Sequence, residues 1–197
     1  KAPVAQGMRM NIEKAEELVD RGDFDAIVMG RPFLADPDVV NKAEAGKAST
    51  IRPCVGCNAK CLDMAMVSKP IGCIGNYECN REEELEDENG LMPTEKKSEH
   101  PEKILVIGAG PSGMEFARVA ALRGHKVTIW EKRNRTIGLS LYAATPPRRY
   151  DIRYFGQWLE RTCRELGVEI ILNKEATAED IIAASKDYDR VVLACGS

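Results

Sequence analysis

The 197 residues are 44% hydrophobic and 30% charged, the balance of a globular chain with apolar material for one large core or two small ones. A net charge near −3 gives no electrostatic footprint for a nucleic-acid partner, and no stretch approaches the roughly 18 uninterrupted apolar residues of a membrane helix. Five of the seven cysteines fall between Cys54 and Cys79, a clustering that suits metal ligation in the reducing cytoplasm better than a secreted disulfide scaffold.

The opening, KAPVAQGMRM, has neither an initiating Met nor an apolar signal core, so it is expected to lie inside a longer polypeptide. A short apolar run at 3–5 leads to Gly7, a loop signal. Asn11 can cap a helix that ends near Gly22. Residues 24–29, FDAIVM, predict a buried strand, and Gly30-Arg31-Pro32 a turn directly after it. Asp36 as N-cap, Pro37 at the first helical position and Gly46 past the end frame a second helix. Strand, helix, strand, helix in this order implies a parallel sheet with right-handed crossovers, of which residues 1–50 hold only two units. Residues 51–80 predict a cysteine-rich loop, and the charged, Gly- and Pro-containing stretch 81–102 a solvated linker. Beyond it come a strand at 104–108, a helix at 111–123 closed by Gly124, and a strand at 127–130. A helix follows with Ile152, Phe155, Leu159, Cys163 and Leu166 on one face, then a strand at 168–172. A helix capped by Thr177 and Asp180 leads to the last strand at 190–194.

The cysteines are spaced Cys54-x2-Cys57-x3-Cys61-x11-Cys73. Three thiolates within eight residues can wrap one centre only if the backbone turns tightly, which Gly56 helps. Four thiolates suit a [4Fe–4S] cluster, each iron needing one sulfur beyond the inorganic sulfides. Structural zinc also takes four cysteines, usually as two C-x2-4-C pairs, and it remains the alternative with free thiols behind it. Cys79 fits a small buried filler better than a ligand.

Gly108-Ala109-Gly110-Pro111-Ser112-Gly113 follows a strand and opens a helix, the context a dinucleotide fingerprint requires. The first glycine permits the turn, the second lets backbone approach a pyrophosphate, and the third lets the helix pack close to the strand. Glu131, eighteen residues past Gly113, ends the next strand where a carboxylate takes ribose hydroxyls.

Taken together the motifs resemble the iron–sulfur flavoenzymes typified by 2,4-dienoyl-CoA reductase and trimethylamine dehydrogenase. DAIVMGRPFLADPD looks like the eighth strand of an FMN-binding (β/α)8 barrel, and PVAQGMR like the end of the seventh. IRPCVGCNAKCLDMAMVSKPIGC reproduces the cluster signature. KILVIGAGPSGMEFARVAALRGHKVTIWEK looks like the start of the FAD domain, and VVLACGS like a strand ending beside the flavin.

The resemblance implies an α/β chain: a barrel remnant over 1–50, the [4Fe–4S] loop over 51–80, the linker over 81–102, and an incomplete Rossmann-like FAD or ADP domain over 103–197. It implies that Gly7, Arg9, Gly30 and Arg31 approach an FMN phosphate in the complete protein, and that Gly196 lies close to the FAD. Electrons would pass from NAD(P)H through FAD and the cluster to FMN, reducing an activated C=C bond or, in reverse, oxidising an amine. Gly138-Leu139 departs from the family pattern of paired glycines and leaves an ADP-only occupant open. With barrel strands one to six absent, the chain is expected to be a piece of the architecture or a subunit whose partner bears the barrel. The competing class is a non-catalytic electron-transfer or nucleotide-binding module. His125 is expected in an exposed turn, Trp130 and Trp158 at ordinary positions, and Arg148-Arg149 in a solvated turn.

Overall fold

The computed structural model describes residues 2–7, 10–147 and 149–196. The chain divides into two compact units, 1–84 and 85–197. Arg9 and Arg148, both singled out from sequence, lie outside the described residues.

The first unit holds β1 (Ala5–Gln6), α1 (Ile12–Asp20), β2 (Ala26–Ile27), α2 (Gly30–Ala35), α3 (Val39–Glu44), a 3-10 turn (Ala48–Thr50), α4 (Leu62–Met66) and α5 (Glu82–Leu85). Asn11 caps α1 as its residue type predicts, its side chain accepting the Lys14 N–H at 3.0 Å. β1 and β2 pair in parallel through two residues each.

Three expectations need correction here. The 24–29 strand shrinks to Ala26–Ile27, and Val28 is 58% exposed rather than buried. Among the described residues β2 has one ladder partner and no layer over both faces, so a continuous apolar run does not suffice to bury it. Gly30-Arg31-Pro32 is not a turn but the first turn of α2, where proline loses no helical hydrogen bond. The next helix starts at Val39 behind Asp38, not at Pro37 behind Asp36.

The Asp36 carboxylate has a different task. It is 3% exposed and gathers the Asp38 N–H at 3.1 Å, the Arg52 N–H at 2.8 Å and the Lys42 ammonium at 2.7 Å. One buried anion thereby ties the residue before α3, Lys42 within that helix and the chain entering the cysteine loop.

The second unit contains β3 (Lys103–Ile107), α6 (Pro111–Leu122), β4 (Lys126–Trp130), α7 (Ser140–Ala143), α8 (Tyr150–Glu165), β5 (Glu169–Ile171), α9 (Ala178–Ala184) and β6 (Arg190–Leu193). The four strands form one parallel sheet in the order β5-β4-β3-β6. Period-two alternation sends Ile104 and Val106 into a core with Met114 and Ala117 of α6 and Trp158, Leu159 and Cys163 of α8. Leu105 and Ile107 point to the opposite face, against Ile181 and Ala184 of α9. Helices thus cover both faces of the sheet. Burial pushes the Cys163 thiol up to about 12, and it donates to the Met114 carbonyl, a packing role. Thr177 and Asp180 form the expected capping box.

Part of the stretch expected as a solvated linker is fastened to this unit. Ser98 N–H donates to the Arg123 carbonyl, Lys97 Nζ to the Leu122 carbonyl, and Arg123 Nη1 to the Pro93 carbonyl, at 2.7, 2.6 and 3.1 Å. The last carbonyls of α6 need partners, and the 93–98 segment supplies them. His125 is half-buried rather than exposed, its Nδ1 accepting the Glu102 N–H at 3.0 Å.

Asp36→Asn keeps the shape of the side chain and removes the charge on which three groups converge. It should lower stability by about 2 kcal/mol, the range for hydrogen bonds to a charged group. Urea unfolding followed by circular dichroism measures this, and an unchanged midpoint would count against the tie.

Candidate cofactor-binding sites

The cysteine loop is shaped by backbone that only certain residues accept. Gly56 sits at φ +65° and Asn58 at φ +61°, two left-handed turns inside the eight residues from Cys54 to Cys61. Asparagine tolerates that region better than other side chains, so Asn58 carries a turn signal that the cysteine spacing overshadowed. α4 then starts directly after Cys61. The Gly72 N–H donates to the Lys60 carbonyl at 3.0 Å, which lays Cys73 alongside the first three cysteines. Asn76, 6% exposed, anchors the returning chain through its Nδ2–H to the Leu34 carbonyl at 3.2 Å.

Cys54, Cys57, Cys61 and Cys73 line one cavity together with Leu34, Val55 and Ile74. Cys79 is buried and absent from that lining, as its reading as a filler requires. The Gly56 N–H points at the Cys54 sulfur, 3.4 Å away. Burial pushes the Cys73 thiol above its ordinary range against the backbone N–H groups of Gly75 and Asn76, which favour the thiolate. Among the described residues no three His, Cys, Asp or Glu side chains are placed to share a single metal ion.

At the carboxyl ends of β1 and β2 the other unit-one candidates appear. Gly7 lies beside Val28, and a Cβ on it would sit 3.8 Å from the Val28 Cβ. Gly30 opens α2 with free space around its Cα. Arg31 does not reach outwards alone: its Nη1 donates to the Asn58 Oδ1 at 2.7 Å, and it lines the cysteine cavity.

In the second unit Gly108 has φ +109°, and a Cβ there would run into the Ala194 carbonyl, whose carbon would lie 2.9 Å away. A Cβ on Gly113 would run into the Gly108 carbonyl oxygen and come within 3.2 Å of the Ala194 Cβ. Gly110 differs, because a Cβ on it would meet nothing within 4 Å. It is the N-cap of α6, with no side chain capping the first turn, so the first backbone N–H groups of the helix have no side-chain cap.

Glu131 is 6% exposed, and its two oxygens accept the Ala109 and Arg133 N–H groups at 2.8 and 2.9 Å. A carboxylate has about four acceptor positions, so capacity remains for a hydroxyl. Sequence reasoning missed the strap over this turn. Ile137 N–H donates to the Ala109 carbonyl at 2.8 Å, and Gly138, at φ +57°, would bring a Cβ to 3.3 Å from the Gly110 Cα. Gly156 of α8 leaves room for Ile137, since a Cβ there would lie 2.7 Å from its Cγ1. Gly196 sits at φ +74° with open space beside it.

A parallel sheet whose first crossover begins in a glycine turn at a helix end without a side-chain cap has the arrangement of a dinucleotide-binding fold. Residues 54–197 match the family model described as pyridine nucleotide-disulphide oxidoreductase, and the chain belongs to that family. It is 46% identical over 198 residues to a metal reductase of Desulforamulus reducens, covering 99% of this chain and 28% of that protein. Two solved structures are also similar. A 2-naphthoyl-CoA reductase in complex with 2-naphthoyl-CoA superposes with a TM-score of 0.88 at 35% identity, over 100% of this chain and 29% of the other. Histamine dehydrogenase from Rhizobium sp. 4-9 superposes with a TM-score of 0.85 at 28% identity, over 99% and 28%. These likenesses bear out the resemblance to the flavoenzymes of the dienoyl-CoA reductase and trimethylamine dehydrogenase kind. The chain spans less than a third of the length of each of these proteins. Among the described residues no helix is long and apolar enough to cross a membrane.

Gly110→Ala and Gly113→Ala separate site from scaffold. Gly110→Ala should fold with an unchanged melting temperature yet bind ADP at least about tenfold more weakly, a loss of about 1.4 kcal/mol. Gly113→Ala should instead lose about 1–3 kcal/mol of stability through overpacking. Calorimetric titration beside thermal melting reads both, and equal ADP affinity for Gly110→Ala would move the phosphate elsewhere.

Proposed function

We propose that this chain holds a [4Fe–4S] cluster on Cys54, Cys57, Cys61 and Cys73 and an FAD over the 108–113 turn, as part of an NAD(P)H-dependent oxidoreductase. The reading rests above all on four cysteines lining one cavity in a chain that also carries an open dinucleotide turn. A single zinc needs four sulfurs about 2.3 Å from one point. The spacing here, two residues, three residues and then a remote cysteine, differs from the paired C-x2-4-C pattern usual for zinc and suits a cluster that takes one sulfur at each of four irons.

The cofactors supply hydride acceptance and one-electron transfer when bound, and the protein's share is positioning and electrostatics. Gly108 and Gly113 let strand and helix close up, so that the Gly110 backbone and the first turn of α6 can donate to a pyrophosphate. Glu131 accepts the adenosine ribose hydroxyls, and Gly196 leaves space for the remainder of the dinucleotide. Leu34 and Val55 give the cysteine cavity apolar walls, and the N–H groups of Gly56, Gly75 and Asn76 favour negative charge on sulfur.

In this reading Gly7, Arg9, Gly30 and Arg31 would hold an FMN phosphate, and the flavins and the cluster would supply electron transfer from NAD(P)H. The substrate in this reading is an enoate or enoyl-CoA C=C bond, supported by the likeness to 2-naphthoyl-CoA reductase. The likeness to histamine dehydrogenase favours amine oxidation as the second reading of the same site. The cytoplasm is the compartment that keeps such thiols reduced.

Anaerobically purified protein should be brown and contain about four irons per chain. Cys54→Ser should lose the iron and Cys79→Ser should keep it. One tightly bound zinc with no iron would sink the cluster reading. Loss of iron on Cys79→Ser alone would displace Cys79 from its role as filler.

Separate titrations with FAD and ADP test the second cofactor. Tighter binding of FAD is expected if the flavin half is also recognised beside Gly196. Equal affinities would mean that only the ADP half is held, and binding of neither would overturn the assignment.

A further inference from the structure

The cysteine cavity has an electrostatic asymmetry that the ligand pattern does not account for. Besides four thiols and apolar side chains, its lining contains Arg31 and Lys60, and among the described residues it contains no carboxylate. Lys60 is exposed, and its charge is spread into water. Arg31 is half-buried, and Asn58, between the second and third cysteines, fixes its guanidinium through the 2.7 Å bond to Nη1. The left-handed conformation of Asn58 at φ +61° aims its amide at Arg31, so loop shape and arginine position are one feature.

We infer that Arg31, positioned by Asn58, is the residue that raises the reduction potential of the cluster held by this loop. This rests on the proposed cluster. One-electron reduction adds one negative charge to the four-cysteine centre, and a fixed cation at its wall favours the more negative state. A planar fork held by a hydrogen bond keeps its charge in place, where a mobile ammonium does not. The cluster loop is therefore biased to accept electrons, and Arg31 has a redox task beyond any phosphate contact made by its remaining donors.

Redox titration of the anaerobically purified chain, monitored by electron paramagnetic resonance, tests this with iron content measured in parallel. Arg31→Gln should keep its iron and titrate at a lower potential than the unmodified protein. Arg31→Lys, which keeps the charge and loses the fork, should fall between the two. Asn58→Asp tolerates the same left-handed backbone and sets a carboxylate against Arg31, so it too should lower the potential. Lys60→Gln should shift it less than Arg31→Gln. Unmodified protein without iron would overturn the cluster reading and this inference with it. Iron-loaded Arg31→Gln and Asn58→Asp at the unmodified potential would overturn this inference alone. Should Arg31→Gln fail to hold iron, Asn58→Asp decides.

Discussion

The carbonyl oxygen of Gly108 occupies the place where a Cβ on residue 113 would be, so α6 rests directly on the end of β3. Much of the second unit follows from that contact. With helix and strand this close, Met114 and Ala117 reach the β3 side chains Ile104 and Val106 and close a core with α8. β6 comes in on the other side, and Ala194 packs where any larger residue at 108 or 113 would collide with it. The same approach leaves the Ala109 N–H turned toward Glu131 and the helix end facing outward from Gly110. Core packing, strand order and binding turn are therefore consequences of one steric allowance. The three glycines of the pattern are therefore not equivalent: at 108 and 113 the absence of a side chain serves packing, and at 110 a Cβ would meet nothing within 4 Å.

The second unit was the more legible in sequence because its signals agree with one another. Strands at 104–108, 127–130 and 190–194 alternate or run apolar between capped helices, and the sheet forms where they predict. Thr177 and Asp180 read as a cap and are one. What escaped notice was set by tertiary contact. The strap at 137–138 depends on Gly156, nineteen residues further along the chain, and no local pattern joins the two. Trp158 gave no sign of its burial, since its environment is assembled from α6 and the sheet.

In the first unit local signals misled because each had two uses. FDAIVM is apolar enough for a buried strand, yet burial requires neighbours on both sides of the ladder. Asp36-Pro37 has the composition of a helix start, but the carboxylate is drawn to Lys42 and to the N–H of Arg52, and the helix begins three residues later. The cysteine ladder was legible through spacing. The elements that shape it, Asn58, Gly72 and Asn76, are polar or small residues whose importance lies in single hydrogen bonds, to the Arg31 side chain, the Lys60 carbonyl and the Leu34 carbonyl respectively.

The two units also differ in what can hold them folded. The second has a continuous core of large side chains, with Leu105, Met114, Ile129 and Leu159 fully buried. Among the described residues of the first, the buried apolar ones are Ala15, Met29, Ala35, Val39 and Cys79, mostly smaller side chains than those of the second. Its organisation leans instead on the Asp36 anion and on the loop that gathers four cysteines. Burial holds the Cys73 thiol above its ordinary range, while the backbone N–H groups of Gly75 and Asn76 act in the opposite direction. Metal binding that must deprotonate its ligands and fix a loop contributes its free energy to folding. On the proposed ligation the cluster would add to the stability of the first unit, and the Arg31–Asn58 bond joins the cavity wall to the residue that turns the loop.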